Sequence, residues 1–129
     1  MPRRATLSRL ELRILEVLWD RGECSVREIH EALPAKGRPA LTTVQTMIYR
    51  LEKKQALGCV KRIGNANIFE ALISRDQAHT TLVDELLSLF DGHARPVMAR
   101  LVQSGRLTLA DIRDAEDALK KMNKKGRTP

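Results

Sequence analysis

TTVQTMIYRLEKK, residues 42–54, decides how the rest of this chain is read. At about 100° per residue, Val44, Met47, Ile48 and Leu51 fall on one apolar stripe of a helix. Thr42, Gln45, Thr46, Tyr49, Arg50 and Lys53 gather on the opposite side. A helix face that only meets water is usually laced with Glu–Lys pairs. This one carries hydroxyls, an amide, a phenol and cations, with Glu52 as its single acid and off to the side. Such a face is suited to touching something.

The elements around it give it a context. Ser8 with Glu11 and Ser25 with Glu28 have the spacing of capping boxes, in which a hydroxyl and a carboxylate satisfy each other's backbone N–H groups at a helix start. The first box opens a helix with Leu10, Ile14, Val17 and Leu18 on one side and Leu12, Leu15 and Trp19 on the other, ended by Gly22. The second opens a shorter helix bearing Val26, Ile29 and Leu33, stopped by Pro34. A polar loop with Gly37 and Pro39 follows, and Thr42 with Gln45 reads as a third box. Gly58 to Ile73 then changes period and reads as a hairpin turning over Gly64-Asn65-Ala66-Asn67. Val60 and Arg62 are expected on one face of its first strand, with Cys59, Lys61 and Ile63 on the other.

Three helices and a hairpin in that order predict a winged helix-turn-helix over residues 1–73. Residues 74–129 read as a separate helical module. Ser74 with Gln77 opens a helix carrying Leu82, Val83, Leu86, Leu87, Leu89 and Phe90. Val97, Met98, Leu101 and Val102 mark a second, and Ile112, Ala115, Leu119 and Met122 a third. So few residues cannot bury that much Leu and Val alone. The module is therefore expected to dimerise, with Leu82, Val83, Leu86, Leu87, Phe90, Val97, Leu101, Ile112 and Leu119 at the seam. The fold class is mainly α with a small β-hairpin.

Charge narrows the partner. The 129 residues hold 23 basic and 16 acidic side chains, a net charge of +7. Basic chains favour polyanions, so double-stranded nucleic acid leads. In a helix-turn-helix the second helix enters the major groove, its early residues toward base edges and its later cations toward phosphates. Thr42, Thr43, Gln45 and Thr46 are candidate base readers, Gln being able to pair with adenine and Thr to pack its methyl on thymine. Thr42 and Gln45 are equally open to a capping role. Arg50, Lys53 and Lys54 suit the backbone, Tyr49 can bond a phosphate oxygen, and Lys61, Arg62 and Asn65 are wing contacts. Arg3 and Arg4 are either a minor-groove arm or a frayed end. Lys120, Lys121, Lys124, Lys125 and Arg127 read as a solubilising tail. A lone winged module binds mostly non-specifically, on the order of 10⁻⁴ to 10⁻⁶ M. A two-fold pair reads half-sites roughly 34 Å apart, or a multiple of it.

Other chemistries are poorly served. Cys24 and Cys59 form no CxxC, and His30, His79 and His93 are scattered, so neither zinc nor another cofactor is expected. No phosphate-cradling glycine loop or nucleophile motif suggests an enzyme. No leader pattern or membrane-spanning run appears, so a cytoplasmic location and no membrane partner are expected.

LSRLELRILEVLWDRG, SVREIHEAL and TTVQTMIYRLEKKQAL with the hairpin behind them, in this order and spacing, resemble the penicillinase repressor family, the BlaI/MecI type of bacterial transcriptional regulator. The likeness runs from about Leu7 to Met122. It implies a homodimeric repressor on palindromic operators with TACA and TGTA half-sites, relieved when a membrane-bound sensor metallopeptidase responds to antibiotic. Thr43 and Thr46 match threonines of the family's recognition helix, and Arg50 matches an arginine. Gln45 departs from an arginine. The family's Asn-Phe cleavage bond corresponds to Arg100-Leu101 in VMARLVQSG, a different pair. The carboxy-terminal cysteine motif of similar copper-responsive repressors is missing. Two rival readings are a winged-helix adaptor that binds an acidic protein and a thiol-responsive regulator working through Cys24 and Cys59.

Overall fold

The computed structural model of the chain describes residues 6–125. Arg3, Arg4 and Arg127 lie outside that range. The order is α1 (Arg9–Arg21), β1 (Cys24–Ser25), α2 (Val26–Ala32), α3 (Leu41–Lys53), β2 (Leu57–Ile63), β3 (Ala66–Ala71), α4 (Arg75–Ser88), α5 (Ala94–Gln103) and α6 (Leu109–Lys125). Helices dominate, and the first part is a winged helix-turn-helix.

Helix starts follow the predicted hydroxyl–carboxylate exchanges. Glu11 N donates to Ser8 Oγ at 3.2 Å while Ser8 N donates to Glu11 Oε1 at 2.8 Å. Ser25 and Glu28 repeat the pattern at 3.1 and 2.8 Å. Gly22, at φ 84°, closes α1 by donating its N–H to Leu18 O. The carbonyls left open at the end of α2 take the Arg38 guanidinium, which reaches Leu33 O at 2.7 Å and Glu31 O at 3.1 Å.

The core of this part joins Ile14, Leu15 and Leu18 of α1, Ile29 of α2, Val44, Ile48 and Leu51 of α3, and Leu57 and Phe69 of the sheet. Val44, Ile48 and Leu51 are wholly buried. Each such side chain contributes about 1.5–3 kcal/mol on leaving water. That anchors one side of α3 and so fixes the direction of the other. Trp19 packs against this core partly buried, its Nε1–H donating to Ile73 O at 2.9 Å.

The wing differs from its expected form in three respects. β1 is a third strand, two residues long, and the antiparallel order is β1-β3-β2. The turn is only Gly64-Asn65, because Ile63 already pairs with Ala66, and Gly64 supplies the positive φ of 61° that a two-residue hairpin turn requires. Finally, Val60 is a bulge. Cys59 pairs with Phe69 but Lys61 with Ile68, so Cys59 and Lys61 lie on opposite faces instead of sharing one. A single inserted residue reverses an alternation that the sequence pattern assumed to be continuous.

Two compact units meet within α4, one reaching Glu85 and the other beginning at Leu86. The expected boundary was between residues 73 and 74. Ser74 and Gln77 do form their capping exchange, at 2.7 and 3.0 Å. The start of α4 nevertheless packs with the winged unit: Ala78 and Thr81 are buried, and Arg75 pairs with Asp20 at 2.9 Å while lying 5.3 Å from the Trp19 ring centre.

In the second unit α5 ends in Gly105, at φ 77°, with Arg106 N returning to Leu101 O. Thr108 and Asp111 cap α6 by mutual bonds of 3.0 and 3.1 Å. No residue of α5 is buried, nor any of residues 109–124.

Candidate nucleic-acid interface

With its apolar side anchored, α3 turns Thr42, Thr43, Thr46, Tyr49, Arg50 and Lys53 to the outside, and Gln45 is half-buried beside them. The expected Thr42–Gln45 capping box does not form. Ala40 is the N-cap and makes no side-chain cap bond, so Thr42 is already the second helical residue. The approach of the chain explains this. His30 Nε2 lies 2.9 Å from Pro39 O, fixing the loop just ahead of Ala40, whose carbonyl takes the first helical bond from Val44 N. Thr42 and Gln45 are thereby released from the start of the helix. Gln45 instead donates from Nε2 to the Tyr49 hydroxyl at 2.9 Å. Thr46 donates its hydroxyl proton to Thr42 O at 3.0 Å, which leaves its oxygen as an acceptor.

Lys54, expected among the backbone contacts, has partners within the protein. Its ammonium lies 2.8 Å from both Glu11 oxygens and also donates to Thr6 O at 2.6 Å. It holds the end of α3 against the start of α1. Burial pushes the Glu11 carboxyl up, but the hydrogen bonds from Lys54 and Ser8 and the Lys54 charge outweigh it, leaving the group below its ordinary value.

On the wing, Arg62 and Asn65 are exposed. Lys61 pairs with Glu23 at 3.1 Å, but with half of each side chain in water that contact is weak and easily exchanged. Asn65, Asn67, Arg27, Gln45 and Tyr49 border one cleft, so the wing tip, the start of α2 and the middle of α3 come together. Across the α2–α3 loop, Arg9, Arg13, Lys36 and Arg38 surround a second cleft beside Pro39. Arg9, Arg13 and Arg27 line these clefts although they lie outside the third helix and the wing. The i, i+4 spacing of Arg9 and Arg13 was a usable signal.

The two thiols are poorly placed for a switch. Burial and the Glu28 charge push the Cys24 thiol up, only partly offset by Arg21. Cys24 and Cys59 both pair with Phe69, from opposite sides of β3. Two strand spacings, roughly 10 Å, separate such positions, beyond the reach of a disulfide. Among the described residues no His, Cys, Asp and Glu side chains cluster as a metal site, and no helix is long and apolar enough to cross a membrane.

An outward polar helix, a basic wing and cationic clefts on a winged helix-turn-helix define a DNA-binding regulator of transcription. The penicillinase repressor family model matches residues 7–121, and the chain belongs to that family, whose members are repressors rather than enzymes. It is 35% identical over 117 residues to the transcriptional regulator BlaI of two Mycobacterium tuberculosis strains, covering 89% of this chain and 83% of the relative. The solution structure of the DNA-binding domain of the repressor BlaI superposes with a TM-score of 0.50 at 28% identity, covering 58% of this chain and 90% of that one.

Proposed function

We propose that the chain acts as a homodimer that binds a palindromic operator of the TACA/TGTA type in the cytoplasm, blocks transcription there, and releases it when an antibiotic-linked signal loosens the dimer. The observation that carries the reading is α3, whose Val44, Ile48 and Leu51 are wholly buried while its threonine hydroxyls and the Arg50 guanidinium stay outside and the Gln45 amide lies half-buried beside them. Thr42, Thr43, Gln45 and Thr46 read base edges. Arg50, Lys53, Lys61, Arg62 and Asn65 contact the backbone, joined by Arg27 and by Arg9, Arg13 and Lys36 at the loop. Residues 1–73 carry the DNA contacts, and residues 74–129 supply the pairing surface.

A sensor metallopeptidase is a fitting inducer only if it accepts a new bond. Arg100-Leu101 sits in the last turn of α5, in regular helix, so cutting there requires local opening first.

The test is a gel shift with operator duplex, paired with sedimentation. Arg50→Ala and Thr46→Ala should each weaken binding about tenfold or more while the sedimentation coefficient stays that of wild type. Unchanged shifts for both variants would refute the assignment of α3. Affinity should also fall linearly on a log–log salt plot, with a slope near 0.9 per neutralised phosphate.

A further inference from the structure

The Gln45–Tyr49 bond suggests more than a tidy helix surface. A glutamine amide has two N–H donors and one carbonyl oxygen. The 2.9 Å bond to the Tyr49 hydroxyl occupies one N–H, and among the described residues the amide has no other hydrogen bond. The carbonyl oxygen and the second N–H therefore remain as an adjacent acceptor–donor pair. That pair complements adenine in the major groove, where N7 accepts and the N6 amino group donates; guanine offers two acceptors there and cytosine a donor. Tyr49 sits one turn further along the same face and is itself 48% exposed, so it can brace the amide without closing it off.

Resting on the reading of α3 as the DNA-reading helix, we infer that Gln45 selects an adenine in each half-site and that Tyr49 is the positioning residue that holds its amide in register. Tyr49 then acts on specificity instead of merely adding a phosphate contact. Without the brace the amide turns freely, and the two-point pairing is diluted among other rotamers.

The experiment uses the full-length chain with a library of duplexes carrying randomised half-sites, followed by anisotropy titrations on the selected duplex and its single-base variants. Wild type should prefer adenine at one position of each half-site by about five- to a hundredfold. Gln45→Ala should flatten that position to within about twofold and leave the others unchanged. Gln45→Glu should move the preference to cytosine, because a carboxylate accepts from the N4 amino group. Tyr49→Phe should reduce the adenine preference several-fold at that position alone. Replacing the selected adenine by 7-deazaadenine should cost wild type affinity and cost Gln45→Ala nothing.

If Gln45→Ala weakens all duplexes equally, Gln45 is no base reader and the inference falls. If Tyr49→Phe leaves the adenine preference intact, whether or not it weakens every duplex alike as the loss of a phosphate contact would, its positioning role falls. A wild-type chain that retains no duplex at all would overturn the DNA-binding reading itself, an outcome distinct from either.

Discussion

At the scale of single residues the least expected contact is Lys54 on Glu11. Glu11 is 2% exposed and holds its charge only because the ammonium and the Ser8 N–H face it. Removing one member of a fully enclosed pair costs roughly 3–5 kcal/mol. Lys54 keeps 26% of its side chain in water, so Lys54→Met should cost less, on the order of 2 kcal/mol in urea unfolding. The pH dependence has a definite sign. The Glu11 pKa is lowered in the folded state from an ordinary 4.5, so its stabilisation is complete above that value and is lost as pH falls through the native one. Glu11→Gln should therefore be less stable than wild type at neutral pH, with the two curves converging in acid. Parallel curves would show that the carboxylate does not matter. The sequence displayed Lys54 as one more cation on a basic stretch, because a partner 43 residues away leaves no local mark.

At the scale of elements, local chemistry was legible and long-range geometry was not. The Ser8, Ser25 and Ser74 caps were readable because their partners stand three residues away. The Thr42 box had the same spacing and failed, since the His30–Pro39 contact decides where α3 begins. The bulge at Val60 was equally hidden, because register belongs to β3 as much as to β2. The end of α3 offers a prediction. Ala56 N returns to Leu51 O and Gln55 N to Glu52 O, a Schellman closure that puts Gln55 at φ 65°, where glycine is the usual occupant. A side chain in that region costs about 1–2 kcal/mol, partly offset by the greater chain entropy that glycine loses on folding. Gln55→Gly should thus raise stability by about 0.5–1 kcal/mol in chemical denaturation. A loss of stability would mean that the Gln55 side chain contributes contacts exceeding its backbone strain.

For the whole molecule the open matter is what covers the apolar residues at the far end of the chain. Leu89 is 79% exposed, Leu109 73%, Leu119 58% and Met122 66%, well beyond the scattered apolar exposure of an ordinary surface. A second copy would cover them and set two α3 helices on one duplex, the arrangement that lifts a weak module to operator affinity. Leu119→Asp and Leu89→Asp should each yield a monomer in sedimentation equilibrium, because a carboxylate at the seam loses its water without gaining a partner. Operator affinity should then drop to the non-specific range, on the order of 10⁻⁴ to 10⁻⁶ M. The winged unit should remain folded throughout. Trp19, the only tryptophan, lies in that unit with its indole N–H on Ile73 O, so its emission should match wild type while the dimer is lost. A dimer that survives both aspartates would place the pairing surface elsewhere, and a monomer that keeps full affinity would remove the need for pairing altogether.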